Sequence, residues 1–262
     1  MILGVNISQK SKIFPPPKKH FLRGYMSEGK PLTILEMVGI QDDFTSLREL
    51  AKNRHFPNVR KIDVDSIRVI VLKKTMQKLL KYGWRLEKVK SHTPISIHAK
   101  QKLSTKEVTS LYYLIAPSGF KNITLETPHC LNASSDYKKY KLSIFGLSQP
   151  KKPLTDETIG HIKFLLKRLE IDEIDICIDS SLVVNDEAFK AFGKHNKRYS
   201  TLYVNNPLGL TYITKVCYYD KQFKDKLKES LYRLELTCKT RGKIGTLFVP
   251  YDEVETVLMN IF

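Results

Sequence analysis

Cysteine is scarce in this 262-residue chain: Cys130, Cys177, Cys217 and Cys238 are far apart, and no two of them form a C-x-x-C pair. That spacing excludes a zinc ribbon and matches reduced thiols of the cytosol. No stretch approaches the roughly 20 consecutive apolar residues that a membrane-spanning helix needs, so no membrane partner is expected. The opening MILGVNISQKSKIFPPPKK has too short and too interrupted an apolar run for a secretory h-region, and the expected location is cytoplasmic. A G-x-x-x-x-G-K-S/T loop is missing, which excludes an intrinsic P-loop motor. The seven histidines never form a His-x-His pair; they read as surface or core residues, with His161 packing inside an amphipathic helix.

Acidic residues are also in deficit. Lys and Arg number 44 against 27 Asp and Glu, a formal charge of +17. An excess of that size implies a polyanionic partner, because releasing counterions from phosphates supplies sequence-independent affinity and a cationic surface steers encounter. Thirteen Tyr and twelve Phe are spread among the basic residues, a mixture suited to stacking on bases beside phosphate contacts. For any single one, ordinary core packing is the competing reading. At 42% hydrophobic content the chain has enough apolar side chains for one large core or two modest ones.

Along the chain, residues 1–60 form a basic, loop-rich N-terminal segment in which Pro15, Pro16 and Pro17 exclude a helix and favour an extended arm. Residues 61–150 read as an α+β unit. KIDVDSIRVIVL alternates with β-branched residues as a strand does. A helix follows, with Thr75 as cap, Met76, Leu79 and Leu80 as its apolar stripe and Gly83 as its stop. Strands are expected at 111–117, 122–128 and 140–147, the first of these units contributing to DNA binding. The prolines and lysines of QPKKP at 149–153 mark a hinge.

Residues 151–262 form a second α+β unit. A helix capped by Thr155 or Asp156 presents Ile159, Ile162, Leu165, Leu166 and Leu169 to a core. Then come a strand at EIDICIDSS, a short helix near DEAFKAFGKH, and strands at STLYVNN, LTYITKVCYYDK and LYRLELTCK. IDVDSIRV at 62–69 and IDICIDSS at 174–181 each open a strand with spaced acidic residues. The fold class that follows is α+β, with two pseudo-duplicated units, each an antiparallel sheet packed with helices.

Strand alternation sorts the chemistry of the second unit by face. Asp175, Cys177 and Asp179 share one face; so do Arg233, Glu235 and Thr237; so do Lys215, Cys217, Tyr219 and Lys221. If these strands are neighbours, Asp175, Asp179 and Glu235 gather beside Tyr219, and hard oxygen ligands suit magnesium or manganese. The competing reading is a solvated face of an antiparallel sheet. Asp220 faces away from Tyr219 by alternation, which gives it a structural role.

Three segments, the second of them in two parts, resemble the replication initiation factors of rolling-circle plasmids and phages and the related conjugative relaxases. Glu173–Asp179 is similar to the family's R-I-D-L-A-x-D strand, with Glu173 in place of Arg. Thr201–Asn206 resembles T-x-Y-x-G-S, with Asn205 and Asn206 in place of Gly and Ser, and Val216–Lys221 resembles R-x-Y-D-K. Arg233, Glu235 and Lys239 match R-x-E-x-x-x-K. The resemblance covers residues 155–240, with order and spacing kept.

What the resemblance implies is a rolling-circle initiator that nicks and rejoins one DNA strand through a 5′-phosphotyrosine. Tyr219 is then the nucleophile, with Tyr218 next in line. Asp175 and Glu235, joined by Asp179, hold Mg2+ or Mn2+, while Lys221 and Arg233 assist the developing charge. Lys215, Tyr203, Asn205 and Lys239 contact DNA; Tyr203 and Tyr199 serve in packing or stacking. Expected partners are a double-stranded origin and single-stranded DNA, with a host helicase and a homodimer in prospect. A conjugative relaxase has the same chemistry. A non-catalytic DNA- or RNA-binding regulator would bind without a covalent product, and a water-using metal nuclease would dispense with Tyr219.

Overall fold

The computed structural model describes residues 56, 58–89, 108–128, 139–149, 154–167, 169–184, 186–194, 196–198, 201–244 and 247–262. These residues fall within one compact unit, Leu32–Phe262. Residues 1–55 of the basic segment expected at 1–60, most of the expected hinge, Tyr199 and Cys130 lie outside the described residues.

Ten strands form one antiparallel sheet in the order β2-β3-β4-β5-β1-β6-β10-β9-β8-β7. They are β1 (Val59–Leu72), β2 (Arg85–Lys88), β3 (Val108–Ile115), β4 (Ile123–Pro128), β5 (Lys139–Phe145), β6 (Glu170–Ser180), β7 (Asn196–Arg198), β8 (Thr201–Asn205), β9 (Ile213–Asp220) and β10 (Tyr232–Gly242). The helices are α1 (Lys73–Lys81), α2 (Asp156–Leu166), α3 (Lys221–Asp225) and α4 (Tyr251–Ile261), with a 3-10 helix at Asp186–Phe192. The class is α+β. None of the described helices is long and apolar enough to cross a membrane.

The strand order shows how the two units relate. Each opens with a long central strand, β1 or β6. Each continues through a helical turn into four further strands, the last of which returns beside the first; α2, read from the sequence as the opening helix of the second unit, follows β5 as α4 follows β10. The two opening strands pair antiparallel with each other, so the units' sheets are continuous. This is the pattern that the paired acidic strand starts at Ile62 and Ile174 announce.

Alternation puts Val64, Ile67, Ile174, Ile176, Ile178, Leu234, Leu236, Val216, Leu202 and Val204 in one buried apolar cluster with Ile162, Leu165, Val254 and Leu258 of the helices. The other face is polar. α2 begins where the sequence places it, with Thr155 Oγ1 accepting from Thr158 N at 3.3 Å. α1 starts at Lys73, two residues before Thr75, and has no side-chain cap. Its Met76 and Leu79 are buried, and Gly83 beyond it takes φ 84°, a left-handed conformation open to glycine. The segment around DEAFKAF closes as a 3-10 turn that buries Phe189 and Phe192.

α4, a helix beyond the elements expected from the sequence, is pinned by Glu253. Its carboxylate accepts from Thr211 N at 2.8 Å, from Tyr212 N at 3.0 Å and from Ile213 N at 2.9 Å, closing the loop that enters β9. Glu253→Ala leaves three amides to water and is expected to lower stability by roughly 1–3 kcal/mol. In urea unfolding, the midpoint falls at unchanged slope.

Candidate active site on the polar face of the sheet

Directly opposed residues of an antiparallel pair share a face, so the registers build the site row by row. One row runs Thr201, Tyr219, Arg233, Asp179, Lys61 across β8, β9, β10, β6 and β1. The next runs Tyr203, Cys217, Glu235, Cys177, Asp63, and a third Asn205, Lys215, Thr237, Asp175, Ser66. Beyond it, Lys239 opposes Glu173, which opposes Arg68. The strands that carry the family-like segments are therefore neighbours. Tyr219, Arg233, Asp175, Asp179, Glu235, Lys215, Tyr203, Asn205 and Lys239 all lie on one face.

Tyr219 is buried, and its Oη donates to Glu235 Oε1 at 2.5 Å. Burial, then the negative charge of Glu235, holds the phenol far above its ordinary range. Glu235 is itself raised, first by burial and next by the charge of Asp65. A proton shared between two groups that both resist ionisation stays on the phenol until an incoming charge redistributes it. Lys224 is exposed and sets its Nζ 4.3 Å from the centre of the Tyr219 ring, within range of a cation–π contact.

Arg233 is fully buried. Its Nε and Nη2 donate to Asp179 Oδ1 and Oδ2 at 2.6 and 2.9 Å, its Nη1 to Asp65 Oδ1 at 3.1 Å, and its Nη2 to the Ser148 carbonyl at 3.1 Å. Asp65 reaches this face because β1 slips register between Val64 and Ser66, and a bulge of this kind re-aims a side chain. Lys221 is buried as well, holding Asp225 at 2.9 Å and Gln149 at 3.1 Å, and Gln149 Nε2 donates to Asp65 at 3.0 Å. Asp63 accepts from Ser148 at 3.2 Å and pairs with Lys61 at 2.7 Å.

Asp175 forms a separate group. Arg68 grips it in bidentate fashion at 2.9 and 2.7 Å, and Ser66 Oγ donates to it. Burial pushes its carboxyl up, but the Arg68 charge and these hydrogen bonds more than reverse that, leaving it below the ordinary carboxylate range. Tyr218 points to the opposite face, where its Oη donates to the Leu182 carbonyl and accepts from Val184 N, both at 2.9 Å. Burial pushes this phenol up to about 12. Tyr218 is thus not brought together with Glu235. Asp220 caps α3, accepting from Phe223 N at 2.8 Å, the structural role that alternation gives it. Cys177, Cys217 and Cys238 are buried free thiols.

For a divalent ion the donor set matters. Among the described residues, no group of three His, Cys, Asp or Glu side chains is arranged to hold a metal ion. Asp175 and Asp179 each already face a guanidinium, so Asp175, Asp179 and Glu235 do not come together around one point. Asp65 also faces a guanidinium, that of Arg233; its charge acts on Glu235, the carboxylate that a cation would relieve. Mg2+ is commonly held by one or two carboxylates plus substrate phosphate and waters.

The family-like segments account for β6, β8, β9 and β10, but not for Lys61, Asp63, Asp65, Ser148 and Gln149 of the first unit, nor for Lys224. The Asp63–Asp65 pair in IDVD was the available signal; the bulge that turns Asp65 toward Arg233 has no signature in the sequence.

No protein-family model matches the chain, and no curated protein sequence matches it. Among solved structures, it is similar to the rolling circle replication initiator protein from Geobacillus stearothermophilus, at 10% identity and a TM-score of 0.33, over 76% of this chain and 78% of that one. It is also similar to a Diels–Alderase from Streptomyces koyangensis, at 12% identity and a TM-score of 0.14, over 89% of this chain and 93% of that one. Superpositions at these scores carry no functional weight.

Proposed function

We propose that this chain nicks and rejoins one strand of DNA through Tyr219, in the manner of a rolling-circle replication initiator. The observation that carries the reading is the Tyr219–Glu235 pair, with the phenol donating at 2.5 Å to a carboxylate on the adjacent strand. Nucleophile and base within hydrogen-bond reach are the signature of an activated nucleophile. The net charge of +17 and the family-like order of the segments supply the substrate class.

In the proposed step, Tyr219 Oη bonds to the scissile phosphorus and its proton passes to Glu235. The bond from phosphorus to the 3′ oxygen breaks, and water protonates that oxygen. The strand remains joined to the protein by a phosphodiester to tyrosine, so the reverse attack reseals it without ATP. Arg233 and Lys221 act as positioning residues, fixing Asp179, Asp65 and Gln149 beneath the tyrosine. Mg2+ or Mn2+, bound at Glu235 together with substrate phosphate and waters, would supply charge stabilisation at the phosphate. Origin binding, a host helicase and a homodimer belong to the same proposal, as does the choice of replication over conjugative transfer.

The test is to incubate the full chain with Mg2+ or Mn2+ and single-stranded oligonucleotides from its own replicon. A denaturing gel and peptide mapping then seek a DNA adduct. An adduct on Tyr219 supports the reading; tight binding without adduct or cleavage makes the protein a regulator; cleavage without adduct makes it a water-using nuclease.

Glu235 gives the reaction a pH dependence. Nicking requires its ionised form, and burial raises its pKa, so the rate is expected to climb with pH through a midpoint above the ordinary value of about 4.3. Glu235→Gln is expected to remove that limb and to slow single-turnover nicking by about 10²–10⁴-fold.

A further inference from the structure

Resting on the strand-nicking reading, we infer that the loop between β9 and β10 seats the single-stranded DNA, with Phe223 stacking on a base and Lys224 taking the phosphate beside Tyr219. Phe223 is the most exposed large hydrophobic side chain among the described residues, at 77%. Lone exposed apolar residues are ordinary, so exposure alone decides nothing. What sets this one apart is its mounting and its neighbours.

Phe223 stands on α3, a five-residue helix held from several sides. Asp220 caps it through Phe223 N. The buried Lys221 anchors it to Asp225 and, across the sheet, to Gln149. The Leu231 carbonyl accepts from Lys221 N at 2.8 Å and Gln222 N at 2.9 Å, and the Gln222 carbonyl accepts from Leu227 N at 3.0 Å. An aromatic ring displayed on so firmly held a turn loses little freedom when a base stacks on it.

Charge points the same way. The segment KQFKDKLK at 221–228 carries four lysines around this ring, of which Lys221 is tied to the single acid, Asp225. Lys224, Lys226 and Lys228 are exposed. Lys224 is the exposed cation over the Tyr219 ring, the buried Lys221 lying farther from it at 6.0 Å; Tyr219 and Lys224 sit on consecutive elements, the end of β9 and α3. A backbone phosphate drawn to Lys224 therefore arrives next to the candidate nucleophile, and the adjoining base meets Phe223. An aromatic platform beside a row of cations is the general means of holding single strands without reading their sequence.

The test measures binding without chemistry. Fluorescein-labelled oligothymidylate is titrated with the full chain by anisotropy, without divalent metal, over a range of salt. Phe223→Ala is expected to weaken binding by about 5- to 150-fold, the range that stacking on one base supplies; Phe223→Trp is expected to retain it and Phe223→Leu to behave like alanine. Lys224→Ala is expected to weaken binding and to shallow the log–log salt slope by about 0.7. Phe223 is exposed, so these changes leave folding intact, which thermal melting checks. Unchanged binding in Phe223→Ala overturns the inference, as does a loss confined to duplex DNA. The Tyr219 adduct is read separately: an adduct that persists in a Phe223→Ala protein with unaltered strand affinity sinks this inference and leaves the nicking reading standing.

Discussion

Tyr219→Phe is expected to bind single-stranded DNA as well as the parent protein and to form no covalent adduct above background. The substitution removes one oxygen from a buried ring and keeps the ring's packing. Its structural cost is the lost donation to Glu235, which leaves a buried carboxylate short of one donor, on the order of 1–3 kcal/mol. Glu235 already titrates high because of burial and Asp65, and the Tyr219 hydrogen bond pulls it back down; without that bond it protonates more readily, which limits the penalty. Circular dichroism and melting therefore report a folded protein, and loss of the adduct is assignable to chemistry. Tyr218→Phe is the matched control. It breaks the bonds to Leu182 and Val184 on the opposite face, so it is expected to reduce stability and to leave the adduct in place. Adduct from Tyr219→Phe, or its loss in Tyr218→Phe alone, would move the nucleophile and with it the proposed mechanism.

Much of this face is legible in the sequence because a period of two is a strong constraint. Once EIDICIDSS, KVCYYDK and LYRLELTCK are read as strands, alternation alone puts Asp175, Asp179, Glu235, Arg233 and Tyr219 on a common side, and the registers place them in rows. Alternation does not say which carboxylate meets which cation. That depends on β1, whose bulge turns Asp65 toward Arg233 and sets Ser66 beside Asp175. It also depends on Ser148 and Gln149, which lie 85 and 72 residues from their partners Asp63 and Lys221. The joining of two five-stranded halves through β1 and β6 is likewise a long-range pairing, visible in the sequence only as two similar acidic strand starts. α4 offered Asp252 and Glu253 in its first turn and a regular apolar stripe at Val254, Val257, Leu258 and Ile261, signals sufficient for a helix. The reason for its docking, Glu253 gathering the amides of residues 211–213, is a contact between distant segments.

Arg233→Met is expected to lower stability by about 3–5 kcal/mol, the usual result of removing one partner from a buried ion pair. The guanidinium makes two bonds to Asp179, one to Asp65 and one to the Ser148 carbonyl. Methionine fills much of the volume but takes the guanidinium's donors from Asp179 and the Ser148 carbonyl, leaving Asp65 the donation from Gln149. The deficit is read from urea midpoints at unchanged slope. Adding Asp179→Leu to Arg233→Met removes the charge left behind and is expected to recover most of the loss, since a buried ion pair replaced by apolar side chains is often neutral or better. The double variant also separates holding from chemistry. A folded Arg233→Met/Asp179→Leu protein that still forms the Tyr219 adduct would assign this pair to architecture, whereas one that folds, binds DNA and forms none would show that the charges beneath Tyr219 position it for attack.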